Sequence, residues 1–219
     1  MAIRVIPLKC PACAGVLTGF ETDQIFFCPT CPGGWDFSGA APSPIKLSYA
    51  QADLIPRQYR RIFYLPFYYY RISSFALNGG DRIQIQERVI GALNELKGLY
   101  VPGYQLLRES YFGDLGLIYT ERKIEMEEDT NRGNPAWQRF GSATRSLKEA
   151  EAYLKHYPLL IIDKRQDITG MELSMESNLE RVWAVPFFDL GKQIQDGILG
   201  KGFSAFALDT IDEFRKINY

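Results

Sequence analysis

The sequence predicts an α+β protein: a small cysteine-bearing β unit over residues 1–40, followed by a β-rich α+β body over 41–219. Three observations carry that expectation. All four cysteines fall between Cys10 and Cys31. Aromatic and β-branched runs bounded by Gly, Pro and Asn fill much of the body, as strands do. One segment, "SLKEAEAYLKHYP" (146–158), shows a clear helical pattern of apolar residues.

Composition narrows the function classes. Hydrophobic residues make up 46% of 219, enough for a sizeable core. The net charge is −1, so the basic excess that replaces counterions along a phosphate backbone is missing overall. Residues 1–61 carry six Lys or Arg against four Asp or Glu, too small an asymmetry to name a partner. No apolar run approaches the ~18 residues of a spanning helix, and "MAIRVIPLKC" lacks an export-signal pattern. These features predict a cytoplasmic protein whose cysteines serve a metal rather than disulfides.

The most specific motif is "CPACAGVLTGFETDQIFFCPTC". Cys10 and Cys13 form one C-x2-C pair, Cys28 and Cys31 another. Each pair is a tight turn aiming two sulfurs at one point, and two such turns on a hairpin supply a tetrahedron of thiolates. "VLTGFETDQIFF" reads as strand, turn, strand, and "WDF" (35–37) as a third strand. A redox motif needs one pair in a βαβ unit, and rubredoxin-like iron sites have a much longer gap between pairs. The motif resembles the zinc ribbon family over residues 7–39. The usual knuckle is C-P-x-C-G; here Ala14 and Pro32 precede Gly15 and Gly33. The expected cofactor is one Zn2+ held by Cys10, Cys13, Cys28 and Cys31. With every position taken by protein, it is expected to be structural.

Downstream, "SGAAPSPIK" (38–46) reads as a linker. Ser48, with Gln51, is the expected cap of a short helix that Pro56 ends. "IFYLPFYYY" (62–70) is an aromatic strand without a polar alternate row, which predicts burial on both faces or one face held for a partner. "ALNGGDRIQIQERVI" predicts a hairpin through Asn78–Asp81, with Ile83, Ile85 and Val89 alternating along a strand. "GLYVPGYQLL" and "DLGLIYTERKIEM" are further strand candidates. The acidic stretch 125–135 reads as solvated loop. In the 146–158 helix, Ser146 and Glu149 form a capping box and Pro158 is the expected stop. "LLIID" (159–163) reads as a buried strand, and "TIDEFRKINY" as a terminal helix.

The body also echoes itself. "RIFYLPFYY" (61–69) matches "RVWAVPFFD" (181–189), and "LYVPGY" (99–104) is a weaker third copy, with Pro66, Pro186 and Pro102 in corresponding places. Repeats over about 46–130 and 146–219 are the expectation. "FYLPFYYYRI" (63–72), behind the cysteine motif, resembles the YLPFW-like segment of uncharacterised bacterial proteins that carry an N-terminal zinc ribbon. That resemblance implies a bacterial cytosolic protein and transfers no catalytic residue.

No nucleophile motif or phosphate loop is present, His156 is the one histidine, and every cysteine is claimed by metal, so no enzymatic activity is expected. The expected function is a non-enzymatic adaptor or assembly subunit with protein partners. Phe63, Leu65 and Phe67 are expected in the core, and Arg60, Tyr64, Tyr68, Tyr70 and Arg71 on the partner surface. The alternative is a nucleic-acid-binding accessory protein using arginines and tyrosines around residues 57–71.

Overall fold

A computed structural model describes residues 8–19, 23–28, 30–31, 33–78, 83–106, 114–130, 143–163, 171–208 and 211. The fold is α+β. A three-stranded antiparallel sheet is built from β1 (Ile25–Phe27), β2 (Gly34–Asp36) and β3 (Ser43–Ile45). It therefore includes part of the expected linker, since β3 pairs with β2 through Trp35 and Pro44. The body follows as β4 (Leu47–Tyr49), β5 (Arg61–Asn78), α1 (Ile83–Asn94), β6 (Gly98–Pro102), α2 (Leu115–Glu121), α3 (Leu147–Asp163), β7 (Glu172–Asp189), β8 (Gln193–Asp196) and β9 (Gly202–Ser204). Its sheet has the order β6-β5-β7-β8-β9, with β4 added parallel to β7.

β5 and β7 are the spine. They pair antiparallel along their whole length, and both faces are buried where Phe63–Tyr68 meets Val182–Phe187. Phe63, Leu65 and Phe67 pack with Trp183, Val185 and Phe187 under α2 and the β8–β9 region, as expected. Tyr64, Tyr68 and Tyr70 pack on the other face with α1, α3 and the N-terminal Ile25 and Phe27. A strand sandwiched this way needs no polar row, which is why the run reads as continuously apolar.

The register makes the internal echo physical. Leu65 faces Val185, Tyr64 faces Pro186 and Pro66 faces Ala184. Residues that correspond in the two copies thus meet around a local twofold axis through Leu65 and Val185. The surroundings follow the same symmetry. The Pro66 carbonyl accepts from Gly103 N, and the Pro186 carbonyl from Gly197 N, each at 2.8 Å. A Cβ on Gly103 or on Gly197 would lie 2.9 Å from the Pro66 or Pro186 Cγ respectively, so both glycines are set by close approach. In an antiparallel strand a residue's N and C=O point to the same side. Both prolines therefore turn their missing N–H away from the β5–β7 ladder and cost it nothing. Pro102 breaks the third correspondence: it sits on β6 opposite Phe67, as a partner of the repeat rather than a copy.

Four local expectations change. Ser48 caps no helix; it lies buried in β4, which bonds along β7 through Val182 N to Lys46 O and Ala50 N to Ala184 O. The expected strand at Ile83–Val89 is α1, where Val89 and Leu93, four apart, are buried on one face. The "DLGLIYTERKIEM" strand is α2, capped by the Asp114 side chain, which accepts from Gly116 N and Leu117 N. The α3 capping box forms as expected, with Ser146 N donating to Glu149 at 2.7 Å, but Pro158 does not end the helix, and "LLIID" is its last turn and a half. Burial of Tyr157, Ile161 and Ile162 outweighs the missing proline donor. Pro158→Ala should restore the bond to the Leu154 carbonyl and stabilise the chain by about 1–2 kcal/mol, net of the looser unfolded state; urea unfolding measures it. The terminal "TIDEFRKINY" helix lies, Ile211 apart, outside the described residues.

Candidate metal centre

Two short turns bring the four cysteines together. In the first, Cys10 N donates to Gly15 O at 2.8 Å and Ala14 N to Cys10 O at 2.8 Å. In the second, Cys28 N donates to Gly33 O at 2.9 Å. The turns close on each other: Cys10 Sγ is 3.5 Å from Cys31 Sγ, Cys13 Sγ is 3.4 Å from Cys28 Sγ, and all four sulfurs lie within 4.8 Å of one another. Thiolates about 2.3 Å from a central ion have sulfur–sulfur edges of about 3.8 Å, so the cluster fits a tetrahedral metal. Cys10 and Cys28 are buried, and Leu17 and Phe26 pack with them.

The protonation pattern also asks for a cation. Burial opposes ionisation of Cys10, but the Cys13 and Ala12 amides and the Cys31 thiol outweigh it and lower its pKa to about 6. At Cys28 the Cys31 and Thr30 amides likewise outweigh burial and lower the pKa; both donate to its sulfur at 3.4 Å. Cys31 moves the other way, pushed up to about 12 by its contacts with the Cys10 and Cys13 sulfurs and by burial. At Cys13 the Gly15 amide favours the thiolate, yet contact with the Cys28 sulfur leaves the pKa raised. Four like charges cannot gather here unaided; a bound cation removes that conflict.

Ala14 holds φ at +59°, a left-handed conformation that its Cβ disfavours. A glycine would carry no such penalty here. Ala14→Gly should stabilise the metal-loaded chain by up to about 1 kcal/mol, read as a higher urea midpoint.

The expected partner surface fares differently. Tyr64, Tyr68 and Tyr70 are 1%, 0% and 3% exposed. Two of the hydroxyls are directed inward: Tyr68 donates to the Arg145 carbonyl, and Tyr70 approaches the Leu147 carbonyl at 3.5 Å. They form core, not a landing surface. Arg60 and Arg71 are exposed, at the ends of the buried run. His156 is exposed on α3. Sequence reasoning passed over two bonded acids: Asp196, buried and bonded by Tyr119 and by the Ile198, Leu199 and Lys201 amides, and Asp114, half-buried and bonded by Tyr157. Both are locked into structural networks. No helix among the described residues is long and apolar enough to cross a membrane.

Comparison with known proteins gave no match to any family model, curated protein or solved structure.

Proposed function

We propose that this is a zinc-ribbon protein whose single zinc is structural, and that it works as a non-enzymatic adaptor or assembly subunit in a protein complex. The closed donor set carries the reading. Four thiolates fill a tetrahedral shell and leave no position for water or substrate. Zinc, borderline-soft and indifferent to geometry, suits that shell. The interaction role draws on the loop before β5 rather than on β5 itself. Leu54, Ile55 and Tyr59 are exposed there, and Arg57 and Arg60 are exposed beside them. Tyrosine and arginine are enriched at interface centres.

Metal analysis of the purified chain should find about one zinc per chain, the stoichiometry of a single closed four-ligand site. Affinity purification from the native host should recover one protein in stoichiometric amount, lost with Ile55→Asp at unchanged melting temperature. Recovery of nucleic acid instead, released by salt and lost with Arg57→Ala plus Arg60→Ala, would establish the alternative and overturn the adaptor role.

A further inference from the structure

We propose that the cleft between the β5–β7 bulge and the end of α2 binds a small molecule that combines an aromatic or heteroaromatic ring with a carboxylate or phosphate. The cleft holds about 340 Å³, within the range of small-molecule sites. Its floor is aromatic, with Tyr69, Tyr100 and Trp183 among its lining. The Tyr69 and Tyr100 rings lie 4.8 Å apart. Gly98 lets Tyr69 lie directly on the β6 backbone, since a Cβ there would sit 2.5 Å from the ring.

The bulge builds the anion end. Tyr69 faces Arg181 and Tyr70 faces Leu179, so Glu180 is the extra residue with no partner across the ladder. Strict alternation would send Glu180 and Arg181 to opposite faces; the bulge brings both to the cleft wall. Glu180 holds Arg71 through Nε at 2.5 Å, and among the described residues it is the one group bonded to that guanidinium. Both terminal nitrogens of Arg71 are thus left for a two-pronged contact with a carboxylate or phosphate. Arg181 is fixed behind it, its guanidinium 5.0 Å from the Trp183 ring centre and 3.3 Å from Ser48 Oγ.

Arg71, Lys97, Lys123 and Arg181 line the cleft against Glu125, Glu128 and Glu180, and Glu95 on Lys123 makes four cations against four glutamates, so among the described residues the anion must compete for Arg71 with Glu180 alone. Lys97 and Lys123 are held by exposed glutamates, Glu125 and Glu95, in pairs of the kind that exchange easily. An oxyanion alone would leave the aromatic floor uncovered, and a neutral ring would leave Arg71 unused. The cleft shares no residue with the metal centre, so its ligand is independent of the adaptor reading.

Isothermal titration of the metal-loaded full chain at low salt, with 4-hydroxybenzoate and uridine 5′-monophosphate as probes, tests this. At least one should bind with Kd below about 1 mM, and which one does separates a carboxylate from a phosphate source. Phenol and uridine, the same rings without the acid, should bind at least about tenfold more weakly. Arg71→Ala should weaken the acid probe about tenfold or more at an unchanged melting temperature, and Tyr69→Leu should weaken acid and neutral ring alike. Failure of both probes, equal binding by phenol or uridine, or undiminished binding by Arg71→Ala overturns the proposal.

Discussion

Removing the metal, by chelation or by Cys28→Ser, is expected to unfold the N-terminal sheet and to weaken the body with it. The sheet's own core is very small: Cys10, Leu17, Phe26 and Cys28 are its buried members, and two of them belong to the cysteine cluster positioned to bind a metal. A unit this size lacks the apolar area to stand alone, and structural zinc contributes on the order of 10 kcal/mol to such folds. The effect spreads because the two parts share a core. Ile25 and Phe27 pack with Tyr64 and Tyr68 on the body sheet, and Gln24 N donates to Ala143 O at 2.7 Å. Losing the burial of Ile25 and Phe27 alone should lower the unfolding free energy of the body by about 3 kcal/mol or more. Hydrogen exchange should show protection lost over residues 25–36 first. Full protection there in metal-free protein would sink the structural assignment. Acid acts in the same direction. The raised thiols of Cys13 and Cys31 must give up their protons on metal uptake, so binding should release protons and weaken as pH falls. Calorimetry in buffers of different ionisation enthalpy counts them.

Phe187→Ala and Phe67→Ala are each expected to cost about 3–5 kcal/mol, a large fraction of a typical domain's stability. Both rings are fully buried. They are corresponding residues of the two copies, and they stack on each other across the local axis, with centroids 6.4 Å apart and planes 1° from parallel. Phe63, Tyr104 and Phe203 also pack against Phe187, and Tyr104 and Tyr119 against Phe67. Because the two rings touch, the double variant should lose less than the sum of the singles. Urea unfolding of the four-member cycle measures the coupling; strict additivity would contradict the contact.

What could be read in the sequence was what short-range chemistry decides. The paired cysteine spacing specifies its own geometry, and the Ser146–Glu149 box needs four residues of context. The lack of a polar row in "IFYLPFYYY" allowed two readings, burial on both faces or one face held for a partner, and only the first holds. Assigning Tyr64, Tyr68 and Tyr70 to the surface failed because a hydroxyl reads as wet until its acceptor is known. The acceptors here are carbonyls of Arg145 and Leu147, 77 residues away from Tyr68 and Tyr70. At α1 the β-branched Ile83 and Ile85 favoured a strand, and only the spacing of Val89 and Leu93 betrayed the helix. At Pro158 a local stop signal was overridden by core contacts of Ile161 and Ile162. The cleft depends on one unpaired residue, Glu180, and a bulge has no sequence signature until both strands are aligned.

The β5–β7 ladder also sets how the chain must be made. Arg61 meets Asp189 and Asn78 meets Glu172, so its rungs join residues roughly a hundred positions apart and cannot nucleate locally. At translation rates of about 5–20 residues per second, β5 emerges from the ribosome several seconds or more before its partner exists. For that interval "FYLPFYYY" is an uncharged, aromatic-rich stretch that Pro66 alone interrupts. Arg60, Arg61 and Arg71 bracket it. Flanking charges of this kind act as gatekeepers against association of exposed apolar segments. The arginines around the aromatic run are thus placed to matter before the protein has folded at all.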